Sequence, residues 1–243
     1  ALISVPSANA TPINYGDFSG TTVMYLDVTE SSATDPTPLD GAPYVTGNSL
    51  NFDPVSFNSF STGGSVVDIT DGTLSLGIKA LSGERIPIVQ ISEAGDYTLT
   101  GLVNNAFAGV AANYFINIFE VDGAPINVIA VPASMIFTPS DGDYLLSVDG
   151  EGTGIPWTGS LSIDVNQLLI DENVAFSTGA TRITIVGDNT LTTISQEGTS
   201  AFIAKKDTGG VVITVPEPST FVLLLLGVGA FTLIRGTQST RSQ

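Results

Sequence analysis

The stretch NYFINIFEVDGAPINVIAV, residues 113–131, decides the fold. It holds two apolar runs, 113–121 and 126–131, on either side of Asp122-Gly123. Asp-Gly is favoured in the tight type I′ hairpin turn, whose two central residues both need positive φ. The reading is two antiparallel strands. Both runs are nearly continuous in apolar residues, so both are expected as central strands.

The same β character extends outward. TLSLGIKA (73–80) places Leu74, Leu76, Ile78 and Ala80 on one face and Thr73, Ser75 and Lys79 on the other. GSLSIDV repeats the pattern with Leu161, Ile163 and Val165, and TRITIV with Ile183 and Ile185. Period-two alternation marks half-buried antiparallel strands. Turn dipeptides are expected at Asp71-Gly72, Gly95-Asp96, Asp141-Gly142, Asp149-Gly150 and Asp188-Asn189. DVNQLLIDENVAF departs from the pattern, and Asp164 is expected to cap a short helix that turns Leu168 and Leu169 inward. SSATDPTPLDGAP is the most loop-like run. No linker divides the chain, so residues 11–214 are read as one all-β domain. Its expected form is two packed antiparallel sheets in a jelly-roll-like sandwich.

Composition narrows the function. The chain has 243 residues, no Cys and no His, which removes thiol and imidazole chemistry and disulfides. The net charge is -17 with only 7 Lys and Arg, which argues against a nucleic-acid partner. The start, ALISVPSANATP, carries Ala8-Asn9-Ala10, the small-x-small form of a signal-peptidase site. Residues 1–10 are read as the end of a secretory signal peptide, the other reading being an ordinary first strand.

Residues 215–243 form a distinct tail. Thr220–Ile234 carries no charge. As a helix it spans roughly 22 Å, short of a hydrocarbon core of about 30 Å. Leu223–Leu226 has no polar face, Arg235 follows the span, and all 24 acidic residues precede it. A single-pass transmembrane helix with a short cytoplasmic C-terminus fits this asymmetry, flanking residues and Arg235 adding length. Pro216 and Pro218 hold the preceding segment extended.

Pro216-Glu217-Pro218, the hydrophobic span and the basic end resemble the PEP-CTERM sorting signal of bacterial envelope proteins. The resemblance implies recognition by an exosortase, a membrane-embedded protease, with cutting near Pro-Glu-Pro. It further implies a setting of exopolysaccharide and biofilm matrix. The lead-in GDNTLTTISQEGTSAFIAKKDTGGVVITVPEPST resembles that of uncharacterised exported proteins carrying the same tail. GVVITV runs directly into Pro216, so the last strand is expected to fray or to sit at a sheet edge for cleavage to occur.

Candidate sites in the body were weighed by chemistry. Asp141, Asp143, Asp149 and Glu151 crowd one loop-rich region, where calcium favours clustered carboxylates. The EF-hand pattern is not met, and solvated turn acids are the commoner outcome. Asp68 and Asp71 form a similar pair. Trp157 is the sole Trp and a candidate glycan contact, although such a residue more often plugs a core. Tyr15, Tyr25 and Tyr44 are further candidate sugar platforms. Glu84, Glu93 and Glu120 are the candidates for a glycosidase pair, which needs two carboxyls about 5–10 Å apart. Lys205-Lys206 is expected as a charged gatekeeper on an edge strand. No catalytic signature surrounds any of these, so no enzyme activity and no cofactor is expected. The expectation is an exported structural or adhesive protein of the cell surface or extracellular matrix. Its rival is a carbohydrate-binding module centred on Trp157.

Overall fold

The structure, a computed structural model, describes residues 11–102, 105–206 and 209–217. The expected signal remnant (1–10), the membrane span (220–234), Pro218 and Arg235 lie outside the described residues. Among those that are described, no helix is long and apolar enough to cross a membrane.

In chain order the strands are β1 (Ile13–Ser19), β2 (Val23–Ser31), β3 (Tyr44–Thr46), β4 (Ser49–Phe52) and β5 (Asn58–Thr62). Then come β6 (Val66–Ala80), β7 (Ile88–Thr100), β8 (Ala106–Val121), β9 (Ala124–Ser134) and β10 (Ile136–Thr138). The last are β11 (Asp143–Leu145), β12 (Gly152–Asp164), β13 (Ala180–Ser195), β14 (Ser200–Lys205) and β15 (Val211–Thr214). Two short helices interrupt them, α1 (Leu146–Asp149) and α2 (Val165–Asp171).

The strands form two antiparallel sheets, one of seven strands and one of eight. The first runs β1-β2-β6-β13-β8, and β8 then pairs with β9 along one half and β11 along the other. The second runs β10-β12-β7. Beyond β7 it splits into β15-β4-β3 and β14-β5. The pairings nest: β4 and β5 with β15 and β14, β6 with β13, β7 with β12, β8 with β9. Inward residues from both sheets make one core, including Ile78, Ile116, Ile185, Leu50, Ile91 and Ile203.

The hairpin at 122–123 forms as expected. Asp122 and Gly123 take φ of 52° and 77° between β8 and β9. The capped helix also forms as α2, with the Asp164 side chain accepting from Gln167 N–H at 2.8 Å. Leu169 is buried and Leu168 half-buried.

Three expectations are corrected. The 126–131 run is an edge, not a central strand: among the described residues β9 pairs only with β8, and Val128 is exposed. Pro125 and Pro132 have no N–H to offer another neighbour. Asp71-Gly72, Gly95-Asp96 and Asp188-Asn189 are not turns but lie inside β6, β7 and β13. The mid-strand glycines make room for rings. A Cβ would strike Phe57 at Gly72, Trp157 at Gly95 and Tyr114 at Gly187. SSATDPTPLDGAP is a loop, but it drives Leu39 and Asp40 into the core. Finally, β15 is no edge: it is hydrogen-bonded to β7 on one side and β4 on the other.

Candidate functional site

The sandwich encloses a charged centre among its apolar residues. Lys205 ends β14 with Ala201 and Ile203 on its face, and all three point inward. Glu93 follows Val89 and Ile91 on the inward face of β7. Their side chains meet with Lys205 Nζ 2.9 Å from Glu93 Oε2, both fully buried. The approach lies off the hydrogen-bond directions, so both atoms lack a hydrogen-bond partner among the described residues. Nζ also stands 4.5 Å from the centre of the Phe57 ring, whose π face favours a cation. Lys205 is therefore not a surface gatekeeper. Lys206 does face outward, donating to Asp96 at 2.8 and 3.0 Å.

The facing sheet completes the centre. Tyr114 of β8 lies over Gly187 and donates its hydroxyl to Glu93 Oε1 at 2.6 Å. Burial and the Glu93 carboxylate raise that phenol well above its usual range. Asn189 of β13 is buried beside it, with Oδ1 unpartnered. Asp40 enters from the loop after β2, only 3% exposed, and its Oδ1 is also unpartnered. Glu30 grips the backbone on both sides of Asp40, accepting from Leu39 N–H at 2.6 Å and Gly41 N–H at 3.0 Å. Tyr15 donates to the same carboxylate at 3.0 Å. Burial pushes the Asp40 carboxyl up to about 6; Lys205 opposes this, and Glu30 and Glu93 reinforce it.

The residues singled out from sequence fare differently. Trp157 is only 1% exposed. It fills the space over Gly95 and meets Phe137 edge-on with centroids 5.8 Å apart. It therefore presents no face to a sugar, and the expected glycan contact is corrected to a core plug. Tyr25 is buried as well, its hydroxyl bonding Asn48 and Ile213 carbonyls, whereas Tyr44 is exposed.

The four calcium candidates are held apart by other work. Asp149 accepts from Leu145 N–H at 2.7 Å and from the Ser140 hydroxyl at 3.1 Å. Glu151 accepts from Gly101 N–H at 2.8 Å. Asp143 begins β11, and Asp141 sits in a 3-10 turn with φ of 51°. Among the described residues no three acidic side chains are grouped to hold a metal ion. Asp68 accepts from Phe60 N–H, while Asp71 accepts from the Thr190 hydroxyl, its carboxyl raised by burial and by neighbouring Asp188. Glu84 and Glu120 line one open cleft of about 460 Å³ beside the β8–β9 turn, but Glu93 is buried elsewhere. Glu120 is also bridged to Arg182 at 3.5 Å.

At the far end, the fold runs straight into the predicted sorting motif. Ser49 and Thr214 hydroxyls meet at 2.7 Å, and Val215 is fully buried, its N–H donating to the Asn48 carbonyl at 3.2 Å. Pro216 and Glu217 are half-buried.

Comparison with known proteins bears on this end. Residues 214–236 match the PEP-CTERM protein-sorting motif. No curated protein matches the chain. Among solved structures, the VP2 subviral particle of infectious bursal disease virus aligns with 89% of this chain at 13% identity and a TM-score of 0.13. The chain spans 64% of that protein's length, and so low a score carries no argument.

Proposed function

We propose, from the PEP-CTERM motif that the chain carries at residues 214–236, that this is an exported structural or adhesive protein of the cell surface or extracellular matrix. The motif implies export to the envelope and processing by an exosortase, a membrane protein. Before processing, the 220–234 span holds the chain as a single-pass anchor with its basic end in the cytoplasm. The nested strand pairing supports a jelly-roll reading of the body, a rigid block suited to a biofilm matrix with exopolysaccharide.

The observation that carries the reading is the join between fold and motif. Among the described residues Val215 is the last that is fully buried, and Pro216 follows it directly. The rival carbohydrate-binding module loses its anchor with the burial of Trp157. The body has no His or Cys, and the proposal assigns it no enzyme activity and no cofactor.

The test is expression in a host with an exosortase. The native chain should be recovered without residues beyond Pro218. A chain with Pro216→Ala, Glu217→Ala and Pro218→Ala should keep them. Recovery of the native protein with Phe221–Ile234 intact in the finished envelope would overturn the sorting reading. For the body, assembly in the absence of sugar supports the structural role, and specific binding on a glycan array would overturn it.

A further inference from the structure

The charged centre between the sheets has no part in sorting, and an inference from it stands without the export reading. An amine and two carboxyls share the apolar core, all of them buried, and burial disfavours the charged form of the Asp40 carboxyl. Among the described residues Lys205 Nζ and Asp40 Oδ1 have no hydrogen-bond partner, and Nζ is held by its ion pair with Glu93 and by the Phe57 ring. An uncharged buried amine is a nucleophile, and a protonated carboxyl is an acyl acceptor. The backbone brings the two together: Leu39, beside Asp40, accepts from Val55 and Ser56 N–H at 2.9 and 3.2 Å, and Phe57, next along, accepts from Lys205 N–H at 3.0 Å. Burial raises the Asp40 carboxyl to about 6. Glu30 fixes the loop on both sides of it.

We propose that Lys205 and Asp40 join through a side-chain amide that the protein forms on itself, with Glu93 as the proton shuttle.

The Lys205 Nζ lone pair attacks Asp40 Cγ, and the C–N bond forms as the C–OH bond breaks. One amine proton passes through Glu93 to the departing hydroxyl, which leaves as water. The other stays on the amide nitrogen. No oxidant or co-reactant enters. Glu93 is placed for the transfer at 2.9 Å from Nζ. Tyr114 is a positioning residue, holding the other Glu93 oxygen at 2.6 Å. The product replaces buried charges with a neutral amide, which removes their desolvation penalty. It also ties the loop before β3 to β14, near the two ends of the nested pairing. Such a bond would lock the sandwich against pulling.

The test is the intact mass of the purified full chain under denaturing conditions, followed by peptide mapping. The expected mass is short by one water, with a branched peptide joining Lys205 to Asp40. Lys205→Arg and Asp40→Ala should each keep the full mass. Glu93→Gln should slow the appearance of the bond after refolding about 100-fold or more. Tyr114→Phe should slow it about tenfold, matching one lost charge-assisted hydrogen bond, and should shift its pH profile. A folded native chain at full mass, with Lys205 and Asp40 in separate unmodified peptides, overturns the proposal without any variant. Loss of ammonia instead of water, with the branch at Asn189, overturns the assignment to Asp40. A folded Glu93→Gln chain that forms the bond at the native rate overturns the shuttle.

Discussion

Lys205 Nζ and Glu93 Oε2 face each other at 2.9 Å across β14 and β7, with neither side chain reaching solvent. Attraction in such a place competes with a large desolvation cost, so the pair is weak evidence for stability, whereas breaking it is costly. Measured against the chain before the amide forms, Lys205→Met leaves the Glu93 carboxylate buried without its cation and should cost about 3–5 kcal/mol. Adding Glu93→Leu and Tyr114→Phe removes the orphaned carboxylate and the hydroxyl bonded to it and should recover most of that loss. None of these variants can form the proposed amide, so comparison among them in urea melts isolates the charge. Equal stability of single and triple variants would contradict this.

The buried centre was legible in part. Ala201, Ile203 and Lys205 share a strand parity, as do Val89, Ile91 and Glu93. Applied strictly, alternation points both charged residues inward, but a charged side chain in a core is rare enough that a surface role for Lys205 looked better. What parity cannot supply is the partner across the sheets, Tyr114, or the long-range loop that brings Asp40. The all-β class, the 122–123 hairpin and the α2 cap were readable because each rests on local chemistry. The glycines at 72 and 95 misled because a turn and a seat for an aromatic ring put the same residue in the chain. The edge position of β9 was hidden because exposed apolar residues carry no sequence mark of their own, although Pro125 and Pro132 hinted at it.

Trp157 gives a direct optical check, since it is the sole Trp. Its indole is 1% exposed and packed on Gly95 and Phe137. Its fluorescence should be blue-shifted, resistant to iodide quenching and unchanged by added polysaccharide. Trp157→Ala should cost about 3–5 kcal/mol in a thermal or urea melt. Loss of sugar binding in that variant would therefore report unfolding. Quenching as strong as that of free tryptophan would place the ring at the surface and reopen the glycan reading.

Asp122 ties the β8–β9 hairpin to the segment before β13. Its carboxylate accepts from Ser177, Thr178 and Gly179 N–H at 2.7, 2.7 and 2.9 Å. These bonds, that from Ser177 first, lower its pKa from 3.8 to about 2. A depressed acid binds its proton less readily in the folded chain, so it contributes stability that is full above 3.8 and is lost as pH falls through about 2. Melts of the native chain and Asp122→Ala should differ near neutral pH and converge in strong acid. A gap that persists unchanged in acid would mean the carboxylate's charge is not the source. Asp40 runs the other way wherever its carboxyl is free. Its stabilising effect is full below 3.8 and is lost as pH rises through about 6.

The join at Val215 sets a limit on processing. β15 is held on both sides, and Tyr25 donates its hydroxyl to the Ile213 carbonyl at 3.1 Å. Truncation after Thr214 removes a fully buried Val and should cost about 1.5–3 kcal/mol, whereas truncation after Glu217 should leave the urea midpoint unchanged. A protease that binds its substrate as an extended strand needs free backbone on both sides of the cut. Residues up to Val215 cannot supply it without opening the sheet, so the native processed C-terminus should map to Pro216 or beyond. A flexible Gly-Ser spacer inserted between Val215 and Pro216 should speed processing, because it moves the intact motif clear of β15. If mass spectrometry places the native end inside β15, the sheet must open during cleavage. If the spacer leaves the rate unchanged, the fold imposes no barrier at that edge.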